Sequence, residues 1–416
     1  MTYTNNILRT LQIVAAITML LTAFGADESH AQQNWTEVQA ASSKLQGICF
    51  ATPTNAYAVG ESGAIVASTD GGATWAALNS GVASNLWTIR FSSATMGVAG
   101  GDSGTVLTTS DGGITWRRRS SGLQRGTFDS FVFGLYTRDG RTWYAAGGDG
   151  QAGAGVILRS TDSGVTWGKT PITGSFFMDR CGFADETTGF AVGLSATGGG
   201  LIMRTTDGGG TWKPNHTSSA LVAGLHVIDA STVVAVGSNG MFYRTTDGGT
   251  TWSESTPASA NLVDVEFMDA MNGVATGDNG TVIATNDGGA HWHDLSPGNA
   301  QLLSDAAIAP GSGTVLVTGD GGSIFRHTSI TASVERSAAA AQMLLAPNPM
   351  TTSATLRSDA AARITFFDML GRAVLSREAA AGEPLTVDRT MLGAGRYLYI
   401  VVPERGGTMH GMLVVR

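Results

Sequence analysis

From about residue 45 to residue 328, short apolar runs alternate with breaks rich in glycine and aspartate. Inside the runs, apolar and polar positions tend to alternate, as in Leu262-Val263-Asp264-Val265-Glu266-Phe267. A period of two, with breaks only a few residues long, predicts antiparallel strands joined by hairpins. The runs group into units of four. An apolar strand opens each unit. A second strand ends in glycine (Gly273-Val274-Ala275-Thr276-Gly277), a third follows a short glycine turn (Gly280-Thr281-Val282-Ile283-Ala284-Thr285), and a fourth begins at a tryptophan. Four strands per repeated unit predict the blades of a propeller.

Tryptophan marks the repeat. Trp75, Trp116, Trp167, Trp212, Trp252 and Trp292 each end one phrase, which first appears as Ser68-Thr69-Asp70-Gly71-Gly72-Ala73-Thr74-Trp75. Its aspartates are Asp70, Asp111, Asp162, Asp207, Asp247 and Asp287. Counted from Trp35, the spacings are 40, 41, 51, 45, 40 and 40 residues. The glycine turn between second and third strands occurs seven times, first at residues 60–63 and last at 319–322, but the phrase occurs six times. The seventh unit stops at Ile324-Phe325-Arg326-His327-Thr328, whereas Asn34-Trp35-Thr36 stands alone at the front. The Trp35 segment is therefore expected to supply the fourth strand of blade seven, closing the ring and removing a free edge. The expected fold class is all-β: a single seven-bladed β-propeller over residues 32–330, closed by the N-terminal strand, plus a small C-terminal β-sandwich.

Composition narrows the function. Glycine is 57 of 416 residues and proline only 10, which suits many tight turns and not a collagen or a proline-rich linker. Hydrophobic residues are 42% and charged ones 14%, which excludes a highly charged disordered chain and a coiled coil. The net charge of −8 argues against a nucleic-acid partner, which needs a basic face. Cys49 and Cys181 lie in strand-like runs of different units and read as buried thiols, not as a disulfide framework. His216, His291 and His293 are too scattered for a metal site, and no phosphate loop or nucleophile elbow appears. No metal, cofactor or catalytic residue is expected.

The phrase Ser/Thr-x-Asp-x-Gly-x-Thr-Trp resembles the Asp box, or bacterial neuraminidase repeat. In such a turn the aspartate carboxylate folds back onto backbone N–H groups, glycine supplies an uncommon backbone angle, and tryptophan packs between sheets. Sialidases carry Asp boxes, so a secreted glycoside hydrolase of sialidase-like propeller type is one candidate function. The Arg-Ile-Pro segment that opens sialidase propellers is absent, and no facing carboxylate pair stands out in the sequence. The whole unit, over roughly residues 35–330, resembles the propeller repeats of the photosystem II stability and assembly factor family. That resemblance implies a binding scaffold for assembly of a membrane complex.

The two ends give an address. Arg9, the apolar stretch 11–24 and the closing Ser29-His30-Ala31 read as an export signal over residues 1–31, too short to span a bilayer comfortably. The mature chain is expected to begin at Gln32 and to lack a transmembrane segment. Residues 331–342 read as a linker. Residues 343–416 resemble the type A sorting domain of the type IX secretion system, through Pro347-Asn348-Pro349, Ile364-Thr365-Phe366-Phe367-Asp368, Leu370-Gly371-Arg372, Leu392-Gly393-Ala394-Gly395-Arg396-Tyr397 and the closing Met412-Leu413-Val414-Val415-Arg416. This implies type IX secretion machinery as a partner, passage across the outer membrane, and a secreted or outer-surface location after periplasmic export. Photosystem II is not expected in such a cell.

In a propeller, the turns between strands two and three share a face with the blade connections, and the Asp–Trp turns lie opposite. The first face is expected to carry Glu61, Asp102, Asp149, Asp278 and Asp320 as an acidic arc over the channel. Arg117, Arg118 and Arg119, with Arg125, lie beside it. These are the candidate ligand-binding residues. Turn chemistry for the acids and a solvated strand edge for the arginines are the competing readings. The leading expectation is a non-enzymatic secreted or surface scaffold that binds a protein or glycan.

Overall fold

The structure, a computed structural model, describes residues 35–124, 126, 128–299, 301–328, 330, 353–356, 362–368, 373–380, 383–403 and 409–415. The expected leader, the linker, Arg125, and the motifs at 347–349 and 370–372 lie outside the described residues. The chain divides into two compact units, one of residues 30–331 and the other including residues 332–416.

The first unit is a ring of seven four-stranded antiparallel sheets. Their inner strands are Leu45–Phe50, Leu86–Phe91, Phe131–Thr137, Ser175–Phe183, Val222–Val227, Leu262–Phe267 and Leu303–Ile308. The outermost strand of blade seven is Trp35–Gln39, which pairs antiparallel with Ser323–His327, Trp35 opposite His327. The ring is thus closed by the two ends of this unit.

Second strands such as Ala56–Gly60, Val233–Gly237 and Val315–Gly319 are buried along their whole length, which is why they read as continuous small and β-branched runs. Their closing glycines answer a close approach. A Cβ on Gly60, Gly237 or Gly277 would lie 2.0, 1.9 or 1.9 Å from the carbonyl oxygen of Lys44, Leu221 or Asn261, just before the inner strand. Between neighbouring blades lie seven apolar clusters, and each receives one of Trp35, Trp75, Trp116, Trp167, Trp212, Trp252 and Trp292. Trp75 of blade one, for example, packs with Val66 of its own blade and with Leu316 and Ile324 of blade seven.

All seven inner strands bulge at one equivalent residue: Gln46, Trp87, Phe133, Asp179, Ala223, Val263 and Ser304. A bulge re-aims a side chain out of the sheet alternation. The residue after each bulge returns to register: Gly47, Thr88, Gly134, Arg180, Gly224, Asp264 and Asp305. These two positions shape the channel.

In the second unit, Ser353–Leu356 pairs with Leu385–Asp388. A separate antiparallel sheet runs Ala373–Ala379, Ala362–Phe367, Gly395–Pro403 and Met409–Val415. Ala354, Leu385 and Val387 of the first pair share one buried cluster with Ile364, Phe366, Tyr399, Leu413 and Val415 of the other sheet.

Candidate ligand-binding face and central channel

The Asp–Trp turns are self-contained. Asp70 accepts through Oδ1 from Ser68 Oγ (2.8 Å) and Thr74 N–H (2.9 Å), and through Oδ2 from Thr74 Oγ1 (2.6 Å). Ser68 Oγ accepts from Gly72 N–H at 2.8 Å. The same pattern recurs at Asp111, Asp162, Asp207 and Asp247. At Asp287, His291 Nδ1 replaces the threonine hydroxyl at 2.7 Å. Gly72 sits at φ +87°, where a Cβ would meet Leu316 of blade seven at 2.5 Å. Trp75, Trp116, Trp167, Trp212, Trp252 and Trp292 are half-buried. The ring nitrogens of Trp75 and Trp167 donate to carbonyls of Gly72 and Gly164 in their own turns.

On the opposite face, the five acids sit at the turns between second and third strands, and four of them have side-chain partners. Asp102 accepts from Asn85 Nδ2 (2.9 Å) and from the Trp87 indole. Asp149 is buried, pairs with Lys169 Nζ at 2.8 Å, and accepts from the N–H groups of Gln151 and Ala152. Asp278 accepts from Asn261 Nδ2 at 2.7 Å, and Asp320 pairs with Lys44 at 2.9 Å. Glu61 is exposed in the turn Glu61–Gly63. Arg117–Arg119 forms the outer strand of blade two, with Arg119 Nε donating to Thr108 Oγ1 at 2.9 Å.

The same face carries an aromatic ridge that spans blades two to four. Trp87 meets Phe133 edge-on (5.7 Å between centroids), Phe133 stacks on Phe131 (5.1 Å) and meets Phe177 edge-on (5.6 Å). Phe177 neighbours Phe176, which meets Phe128 edge-on at 5.7 Å. Phe128 is 53% exposed and Phe176 42%. The five phenylalanines line a cavity of about 190 Å³ together with Asp129, Asp149 and the backbone around Gly148, Gly150 and Gly153. A second cavity, about 420 Å³ and polar, opens on the Asp–Trp side between Arg90, Ser92, Thr137, Arg138 and Asp139.

The channel is crossed by charges. Arg180 contacts its neighbour Asp179 at 2.9 Å, donates to the Phe133 carbonyl of blade three at 3.0 Å, and faces Asp264 of blade six (3.8 Å) and Asp305 of blade seven (3.4 Å). Asp264 Oδ2 accepts the Ala306 N–H of the next blade at 3.1 Å, and Asp305 Oδ2 accepts the Ile48 N–H of the blade after that at 2.8 Å. An inner strand has no neighbour on its channel side, so these carboxylates satisfy backbone donors that otherwise face the channel. Nearer the Asp–Trp side, His226 pairs with Glu266 at 3.2 Å. Among the described residues, no group of three or more histidine, cysteine or acidic side chains has metal-binding geometry. Cys49 and Cys181 are free, and burial pushes both thiols up to about 12.

The two sets of aspartates titrate in opposite senses. Hydrogen bonds from the threonine four residues on, then from the Ser/Thr two residues back, hold Asp70, Asp111, Asp162, Asp207 and Asp247 down to about 2. Their contribution is present above the unfolded value near 3.8 and is lost as pH falls toward 2. Burial, only partly offset by Arg180, pushes Asp179 up to about 6, although 23% of its side chain is accessible. The folded chain then holds a proton that the unfolded chain releases, so this contribution fades as pH rises from about 4 to about 6. Compared with an Asp179→Asn variant, the parent's urea midpoint is therefore expected to fall progressively as pH rises from about 4 to about 6, a difference in which groups shared by both proteins, His327 included, cancel. A parent–variant difference that stays constant between about pH 4 and about 6 would contradict the assignment.

Sequence reasoning located the acids and the arginine strand but not the phenylalanine ridge or the cross-channel cluster. Its usable signal was the spacing: the 51-residue interval from Trp116 to Trp167 and the 45-residue interval to Trp212 enclose Phe128, Phe131, Phe133, Phe176 and Phe177.

A family model described as photosynthesis system II assembly factor YCF48 matches residues 9–108. A search of curated proteins returned no match. Among solved structures, YCF48 bound to D1 peptide superposes with a TM-score of 0.58 at 17% identity, covering 71% of this chain and 97% of that one. YCF48 from Cyanidioschyzon merolae gives 0.57 at 17%, covering 71% and 98%. The WD40 β-propeller domain of Doa1 gives 0.57 at 11%, covering 71% and 96%. At these identities the likeness is one of fold: the chain is an all-β, seven-bladed β-propeller, similar over its first units to the YCF48 family.

Proposed function

We propose that this chain is an exported, non-enzymatic scaffold that binds a segment of another protein on the face of the blade connections, at blades two to four. The observation that carries this reading is the phenylalanine ridge with its cavity. Two of its rings, Phe128 and Phe176, are exposed at the surface, and aromatic anchors in preformed hollows concentrate binding energy. The solved YCF48 with a D1 peptide is a precedent for peptide binding by a ring of this fold. The leader over 1–31 and the sorting-type motifs of 343–416 support export through the inner membrane and then by the type IX route, and we read the two sheets of the second unit as the sandwich such a tail requires. Hydrolysis is the weaker reading. Asp264 and Asp305 already accept backbone N–H groups and face Arg180, which suits structural acceptors more than an acid and a nucleophile.

The test is capture from the organism's surface and extracellular fractions by cross-linking to the mature chain, with Phe128→Ser/Phe176→Ser as the matched variant. A protein ligand is expected, with capture reduced about tenfold or more in the variant and its melting temperature unchanged. Turnover of a fluorogenic glycoside panel by the mature chain would replace this reading with the hydrolase. Removal of 343–416 is expected to leave the protein in the periplasm.

A further inference from the structure

We infer that the phenylalanine cavity takes a basic side chain, arginine or lysine, presented by the bound protein segment; this rests on the scaffold reading above. Size comes first. At about 190 Å³ the cavity lies below the roughly 300–1,000 Å³ of small-molecule sites and suits one side chain.

The walls come second. Phe128, Phe131, Phe133, Phe176 and Phe177 offer ring surface, with glycine and alanine backbone between them. Such walls accept the aliphatic stem of a long basic side chain and attract its charged head through the ring faces.

Charge decides among apolar, acidic and basic anchors. Two carboxylates line the cavity. Asp149 is already matched by Lys169. Asp129 is not: it accepts from Ser103 Oγ at 3.3 Å on both oxygens and from Ser130 N–H at 3.0 Å, and forms no ion pair among the described residues. Asp102, bridged to Phe131, is likewise held by neutral donors, Asn85 and Trp87. Lys169 is spent on Asp149, and Arg180, which donates to the Phe133 carbonyl, is spent on Asp179, Asp264 and Asp305. An acidic anchor would meet repulsion from Asp129 and Asp102. An aliphatic anchor would desolvate Asp129 without compensation, whereas a guanidinium or ammonium group supplies the missing countercharge.

The experiment is selection from a random heptapeptide phage library on the mature full-length chain, with enriched peptides then synthesised and their affinities measured. Arginine or lysine flanked by apolar residues should dominate the enriched set. Changing that base to glutamine in the peptide, or introducing Asp129→Asn or Phe176→Ser in the protein, should each weaken binding about tenfold, and raising salt should weaken it further. Enriched peptides that lack a base but still need the phenylalanines would overturn this inference and leave the scaffold reading intact. So would basic peptides that bind Asp129→Asn as well as the parent. No enrichment over the Phe128→Ser/Phe176→Ser variant would overturn both readings.

Discussion

Replacing Arg180 with methionine is expected to cost about 3–5 kcal/mol, because it leaves buried carboxylates without their cation. Asp264 and Asp305 are 5% and 16% accessible, the latter for its side chain, and each is tied to the backbone of the following blade. They cannot swing into solvent without releasing the Ala306 and Ile48 N–H groups. Methionine replaces much of the stem but not the charge, so the loss reports electrostatics more than a cavity. The deficit should shrink as pH falls. Burial raises Asp264 and Asp305, and protonating them removes the charges that Arg180 compensates. Urea unfolding of parent and variant at pH 7 and pH 5 separates the cases. Equal midpoints at pH 7 would mean that the channel water already screens these groups. A deficit that persists undiminished at pH 5 would point to lost packing in place of charge.

The same strand shows why part of the molecule was legible in sequence and part was not. The blades were readable because each unit repeats three local signals: a strand that ends in glycine, a glycine turn, and an aspartate that folds onto its own threonine. All three act within about ten residues, so no tertiary information is needed. Trp35 was assignable because a missing strand at one end matched an extra strand at the other. The channel was not readable, because it depends on register across blades. Asp264 and Arg180 occupy the same position of different inner strands, but only after the single-residue bulge is counted. Read by simple alternation, Asp264 is merely one polar residue in an apolar strand. The phenylalanine ridge was hidden for a related reason: its rings come from one connection and two inner strands, and the ring at Phe133 is a bulged residue. The acids do lie at the turns between second and third strands, but Asn85, Lys169, Asn261 and Lys44, the side chains that bind Asp102, Asp149, Asp278 and Asp320, lie 17 or more residues away in sequence.

Ring closure is the second place where one change should have a large effect. Trp35→Ala is expected to cost about 3–5 kcal/mol, the range for loss of a large packed aromatic. Trp35 donates to the Leu295 carbonyl of blade six at 2.6 Å and joins the cluster of Leu295, Val317, Phe325 and Ile330. Its ring lies 5.0 Å from His327, directly opposite across the strand pair. His327 is 1% accessible, and burial holds its imidazole down to about 4, so it is neutral in the fold. Opening the seam should return that histidine toward 6.5, a shift readable in its proton NMR titration. A folded-state value lowered by burial also means that protonation opposes folding: the cost appears as pH falls through about 6.5, where the unfolded histidine gains its proton. Deleting residues 32–39 should go further, exposing the edge of Ser323–His327 as an unpaired strand and producing concentration-dependent association, visible by light scattering. If Trp35→Ala leaves both the melting temperature and the His327 titration unchanged, the ring is held by the inner-strand contacts alone and the terminal strand is an accessory. If both move together, the seam between the two ends of the propeller is where this fold is locked.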